Sequence, residues 1–240
     1  MTDVLVESYN PYLVLLSIFL AIFASYVTLK IAKDILGATN ADHKFLILQG
    51  AITMGIGIWS MHFIGMLALS LPVEIGYAPL WTLVSIFPAI GASAIALYLI
   101  TLPQVNQLIL FSSAVVMGSG IAIMHYLGMA AMQVQATIRY QPFLLILSVA
   151  IAIIVSAIAI KIFSWIREKV LKPKMTIYMV TATVMGFGIS AMHYTGMAAT
   201  LFKASSNQTV DIISGSNVVI GASIIVANLM ILISLLFFQD

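Results

Sequence analysis

Gly55-Ile56-Gly57-Ile58-Trp59-Ser60-Met61-His62-Phe63-Ile64-Gly65-Met66 is the first of three nearly identical phrases, each set inside a long apolar run. The second runs from Gly118 through Met124-His125-Tyr126-Leu127-Gly128-Met129, and the third from Gly186 through Met192-His193-Tyr194-Thr195-Gly196-Met197. Three of the four histidines in the chain stand at the same place in these copies. So do nine of its fourteen methionines, counting Met54, Met117 and Met185 seven residues before each Met-His pair. Imidazole nitrogen and thioether sulfur are both metal ligands. Any function has to account for their coming in threes.

The apolar surroundings decide the fold class. Charged residues are 8% of the chain, against about 25% in ordinary globular proteins, and 62% of its residues are apolar. A soluble chain of 240 residues needs more polar surface, so an integral membrane protein is expected. The absence of cysteine removes disulfides, thiolate sites and cysteine nucleophiles. A net charge of +2 with no basic run argues against nucleic acid. The first ten residues carry Asp3 and Glu7 but no Lys or Arg, so the first apolar run reads as a retained helix and not a leader.

Seven runs are long enough to cross a bilayer, near 12–29, 46–70, 80–101, 108–131, 143–161, 176–201 and 217–238. They are continuous and not alternating, which argues for helices over barrel strands. The breaks read as turns: 33–44, 72–79, 103–107, 133–142, 167–174 and 203–216. Lys30, Lys33, Lys44, Lys161, Arg167, Lys169, Lys172 and Lys174 fall on one side of a seven-span protein, and only Arg139 and Lys203 on the other. Positive residues stay inside, so the amino terminus is expected outside and the carboxyl terminus in the cytoplasm. Trp81, Tyr77 and Tyr140 then fall at the outer interface and Trp165 at the inner one, as an aromatic belt.

The phrases end spans two, four and six, which run in the same direction. His62 lies about 24 Å along its span, in the outer half of a core of about 30 Å. The chain thus reads as one all-α membrane domain over 1–240, with helix-pair repeats at about 12–70, 80–131 and 143–201 and an extra helix at 217–238. Within each phrase, His and the second Met stand four apart on one face: His62 with Met66, His125 with Met129, His193 with Met197. The first Met (Met61, Met124, Met192) falls in a stripe with Gly57 and Gly65, Gly120 and Gly128, Gly188 and Gly196, read as a packing face. Ionisable residues at membrane depth are functional candidates, whereas a lone Met or Gly stripe is ordinary packing. His43, beside Asp42 and Lys44, reads as a solvated loop residue, and Asn228 in the last span as interhelical glue.

The phrase Met192-His193-Tyr194-Thr195 and its two variants resemble the MHYT family of bacterial integral membrane sensors, and the likeness covers nearly the whole chain. The resemblance implies copper bound through Met61, His62, Met66, Met124, His125, Met129, Met192, His193 and Met197, and detection of oxygen, carbon monoxide or nitric oxide. It also implies a multi-pass protein of the bacterial inner membrane, surrounded by lipid, that signals to a cytoplasmic output such as cyclic-di-GMP turnover. A homodimer is compatible with it. Phe63 replaces Tyr, and Ile64 and Leu127 replace Thr, so a hydroxyl required in all three copies is ruled out. Neutral His and Met donors in an apolar setting suit Cu(I). Calcium, magnesium and structural zinc would call for carboxylates or cysteines, and a haem with His and Met axial ligands fits three equivalent pairs less naturally. The module itself is expected not to be an enzyme. A membrane copper oxidase or monooxygenase is the alternative, and copper transport or storage a further one. For transport, the inner halves of the motif spans offer only Gln49, Thr53, Ser112, Ser113, Thr181 and Thr183. With Asp240 soon after the last span, the chain reads either as a free-standing module or as the input to an output domain.

Overall fold

A computed structural model describes residues 4–38, 40–102, 104–169, 175–204, 213 and 215–237. Of the positive residues used for orientation, Lys172 and Lys174 lie outside the described residues. Among the described residues, seven helical stretches are long and apolar enough to span a membrane. In chain order the helices are α1 (Pro11–Ile35), α2 (Asn40–Ala68), α3 (Pro79–Val84), α4 (Ile86–Ile100), α5 (Gln107–Ala130), α6 (Pro142–Lys169), α7 (Met175–Ala198) and α8 (Ser216–Phe237). Several run past the apolar stretches that signal them, because a helix continues into the interface for as long as its ends are capped. Asn10 caps α1 by accepting from the Tyr12 and Leu13 amides at 3.0 and 3.4 Å, and Asn106 caps α5 through the Ile109 amide at 2.9 Å. At the far end of α6, Arg167 donates to the Ile100 carbonyl at 2.9 Å, covering the last turn of α4. α3 and α4 form one span broken at Ser85. Pro88 offers no amide to the preceding turn, and the Thr82 carbonyl takes the Trp59 indole at 2.9 Å and the Ser85 hydroxyl at 2.7 Å.

Six helices close into a ring in the order α1, α2, α4, α5, α6, α7 and back to α1, with α8 outside against α2. The motif helices α2, α5 and α7 alternate with α1, α4 and α6. The Gly-x-Gly opening of each phrase explains how. A Cβ on Gly57 would strike Ala24 of α1, whereas one on Gly55 would strike Ile90 of α4. Gly120 and Gly118 face Ala92 of α4 and Ile153 of α6, and Gly188 and Gly186 face Val155 of α6 and Ile22 of α1. Each motif helix therefore uses one glycine per outer neighbour, the close approach that small residues permit in membranes.

Short strands stand at the histidine end, ahead of the first run, at the end of the run read as 46–70, and in or beside the segments read as turns: β1 (Ser8–Tyr9), β2 (Leu69–Ser70), β3 (Ile75–Tyr77), β4 (Met132–Val134), β5 (Ala136–Tyr140) and β6 (Thr200–Ala204). They pair antiparallel as β1–β2, β3–β4 and β5–β6. Each pair joins the entry of an outer helix to the exit of a motif helix. The amides of Asn10, Ala78 and Gln141 donate to the carbonyls of Ala68, Ala131 and Ala199 at 2.9, 2.8 and 2.7 Å. Pairing satisfies backbone groups that would otherwise be stranded beside the apolar core. Segments of two to five residues are too short to announce a strand by alternation. Tyr77, assigned above to the interfacial belt, is 1% exposed and donates from its hydroxyl to the Met66 carbonyl at 3.3 Å, whereas Trp81 and Trp165 are exposed on the helix surface.

Candidate metal centre

His62, His125 and His193 enter from α2, α5 and α7 and meet at the centre of the ring, each at most 1% exposed. Their Nδ1 atoms form a closed triangle: His62 to His193 at 3.1 Å, His62 to His125 at 3.1 Å, and His125 to His193 at 3.2 Å. The three ring planes are mutually near-perpendicular, at 85° to 87°.

Protons alone cannot satisfy this triangle. Each Nδ1 carries either a hydrogen or a lone pair, and around three atoms donors and acceptors cannot alternate. At least one contact sets two lone pairs or two hydrogens against each other. A cation at the centre removes the conflict, since all three lone pairs can point at it. The point equidistant from the nitrogens lies about 1.8 Å from each (3.1 Å divided by √3). Metal–imidazole bonds are about 2.0–2.1 Å, so ring shifts of about 0.2 Å suffice. The donor set thus fits a bound metal.

The third glycine of each phrase makes room for the rings. A Cβ on Gly128 would collide with His62 Nε2, one on Gly196 with His125 Nε2 and one on Gly65 with His193 Nε2, a cyclic arrangement around the three helices. These three Nε2 atoms are buried without a hydrogen-bond partner. The stripe read from spacing as one packing face is therefore two surfaces. Residues four apart advance by about 40° per step, so Gly57 and Gly65 look in directions about 80° apart: the first meets α1, the second an imidazole. Met61 stands two turns after Met54, which lines a cavity at the centre of the ring, and one turn before Gly65. Met61, Met124 and Met192 thus belong to the axial column of their helices. These three and Met66, Met129 and Met197 are all at most 1% exposed. Among the His, Cys, Asp and Glu donors of the described residues, the imidazole nitrogens of His62, His125 and His193 come together, within 4.8 Å of one another.

The aromatic residue after each histidine packs edge-on against it, with centroids 4.7 to 4.8 Å apart. Tyr126 bonds Ser148 at 2.7 Å and Tyr194 bonds Ser17 at 2.9 Å, clasping α5 to α6 and α7 to α1. Phe63 makes no such bond and packs between Trp59 and Tyr77, which accounts for the lost hydroxyl in the first copy. Near the strands, Tyr9 donates to Glu7 Oε2 at 3.0 Å and meets Tyr194 edge-on. Burial raises the Glu7 carboxyl, a rise only partly offset by that bond, and burial with the Glu7 charge raises the Tyr9 phenol. Burial, then neighbouring Tyr126, pushes the Tyr140 phenol up to about 12. His43, read above as a solvated loop residue, is instead half-buried near the start of α2, far along that helix from the triangle. Asn228 is the interhelical contact that the sequence suggested, donating to Ser60 Oγ and to the Ile224 carbonyl, both at 2.9 Å. That Ser60 is its partner could not be read from spacing.

A family model described as MHYT, bacterial signalling protein N-terminal repeat, matches residues 55–113, 118–171 and 186–239. Each match opens on the first glycine of a phrase and runs through the following span. The chain is 44% identical over 205 residues to the bifunctional diguanylate cyclase/cyclic di-GMP phosphodiesterase MucR of Pseudomonas aeruginosa, covering 84% of this chain and 29% of that protein. It is 38% identical over 198 residues to the signaling protein YkoW of Bacillus subtilis, covering 81% and 24%. To the cyclic di-GMP phosphodiesterase NbdA of Pseudomonas aeruginosa it is 33% identical over 205 residues, covering 85% and 26%. The chain spans less than a third of the length of these relatives. No solved structure matches.

Proposed function

Because the chain belongs to the MHYT family of bacterial signalling proteins, integral to the inner membrane, we propose that it is a sensory module that holds one copper ion on His62, His125 and His193. It reports a diatomic gas (oxygen, carbon monoxide or nitric oxide) or the redox state to a cytoplasmic output. The Nδ1 triangle carries this reading. Three neutral nitrogens in an apolar interior favour Cu(I) over a divalent ion, because the smaller charge costs less to bury. Met61, Met124 and Met192, in the axial column beneath the rings, and Met66, Met129 and Met197, one turn beyond, are the thioethers available to complete its surroundings. Copper there supplies a soft, redox-active centre with affinity for small diatomic ligands.

The rest of the task falls to the protein. Imidazole rings wedged against Gly65, Gly128 and Gly196 transmit a change at the triangle directly to the neighbouring backbone. Ser60, two residues before His62, passes it to Asn228 of α8. With the positive residues inside, the triangle lies in the outer half of the membrane and α8 leads into the cytoplasm. The names of MucR and NbdA carry cyclic-di-GMP chemistry, and the output proposed here is of that kind.

Copper analysis of purified protein, with electron paramagnetic resonance before and after gas exposure, tests the reading. One copper per chain is expected, falling to near zero in His62→Ala, His125→Ala and His193→Ala alike. Copper-free protein from copper-replete cells, with an intact gas response in the triple variant, would sink it.

A further inference from the structure

A second threefold meeting point lies on the same axis. Met54, Met117 and Met185, each eight residues before its histidine, border a cavity to which all six ring helices contribute. Eight helical residues put it about 12 Å from the triangle. Its wall repeats by position: Thr28, Ala96 and Ala159 stand at the same distance from Pro11, Pro79 and Pro142, the first residues of their spans. The volume open to the centre of a water-sized sphere is about 50 Å³.

The chemistry of the wall selects the occupant. A water molecule needs about 10–15 Å³ by this measure, but also two to four polar partners. Among the described residues, the hydroxyls on the wall are those of Thr28 and Ser93. Both already donate elsewhere, to the Ala24 carbonyl at 2.8 Å and to Met117 Sδ at 3.7 Å. A water could donate to those two oxygens but would find no donor for its own lone pairs. A cation would find no counter-charge on the wall, and burying it so is costly. Apolar voids of about 150 Å³ stay dry and take up benzene or xenon, so one about a third that size suits a single atom or a diatomic molecule. We propose that the chamber bounded by Met54, Met117 and Met185 is a dry binding site for one small apolar molecule, separate from the histidine triangle. This deepens the gas-sensing reading and rests on it for biological meaning: the guest class is that of the diatomic gases, and the chamber takes it without a metal. Flexible, polarisable methionine side chains, one from each motif helix, would register its presence on all three helices at once.

Xenon tests this directly. The protein is stripped of metal with a chelator, placed in lipid nanodiscs and labelled at its methionine methyls. Xenon pressure should then shift the Met54, Met117 and Met185 resonances along a saturating curve. Met230, exposed on α8, should follow only the linear drift of lipid-dissolved gas. Ala96→Leu or Ala159→Leu, which fill the chamber, should weaken xenon uptake at least tenfold, with the remaining methyl spectrum reporting that the fold persists. Linear shifts at all three methyls, or saturation unchanged in both filled variants, overturn the proposal. Stoichiometric silver(I) binding at these methyls without any xenon saturation overturns it in favour of a soft-metal site. His62→Ala separates the two readings, since it should abolish copper and leave xenon saturation intact.

Discussion

At the scale of single residues, the glycine three places after each histidine is as constrained as the histidine. A methyl on Gly128 would collide with the edge of the His62 ring. Gly128→Ala should therefore destabilise the protein by about 1–3 kcal/mol, as overpacking does, and lower its copper content, both readable by thermal unfolding and metal analysis of one preparation. Tyr126→Phe is milder. It removes the bond to Ser148 and should cost about 1 kcal/mol, leaving copper content unchanged. Glu7 gives a pH signature. Burial raises its carboxyl above the ordinary value of 4.5, so the folded state holds that proton more tightly than the unfolded chain. The associated stability is complete below about pH 4.5 and falls as pH rises through the raised value. Glu7→Gln should therefore unfold at a higher temperature than the parent at pH 7, and the gap should close below about pH 4.5.

Among the elements, α8 is the one outside the ring, and its contacts select one motif helix of three. Asn228 reaches Ser60, Asn217 donates to the Ile75 carbonyl at 3.1 Å, and Ser216 accepts the Tyr77 amide at 3.1 Å. The threefold site is therefore joined to α8 on one side only, through α2 and the strand that follows it. Asn228→Leu keeps the volume and apolar character that a lipid-facing helix needs while removing the bond. Protein carrying it, coupled to its output, should retain one copper per chain but lose most of its gas-dependent change in that output. The asymmetry extends to the first phrase, where Phe63 between Trp59 and Tyr77 takes the place of a tyrosine clasp. The helix joined to α8 lacks the hydroxyl that ties the other two to their neighbours.

For the molecule as a whole, the triangle is where three helices from distant parts of the chain are joined. His62 and His193 are 131 residues apart in sequence. A metal bound there by the folded state alone stabilises it by mass action, about 2.7 kcal/mol when free metal is a hundredfold above its dissociation constant. Chelation should accordingly lower the unfolding temperature of the parent and leave that of the triple His→Ala variant unmoved. A metal shift in the triple variant would place the ion elsewhere.

Seven spans were legible because apolar run length is a property of the chain alone: nothing but a helix or a closed barrel crosses hydrocarbon. The triple phrase likewise named the histidines, since repetition needs no geometry to be seen. Tertiary structure alone decided which atoms meet. Helical spacing fixes the angle between two side chains on one helix but not the direction of the axis they surround. That is why Gly57 and Gly65 read as one stripe and proved to face an outer helix and an imidazole. The Nδ1 triangle, the chamber at Met54, Met117 and Met185, and the choice of Ser60 as partner for Asn228 are contacts between helices. Such contacts are set by how closely three backbones approach, and here Gly-x-Gly sets that distance. The short strands escaped the sequence for a related reason: pairs of two to five residues carry no period, and only the closing of the ring brings their partners alongside.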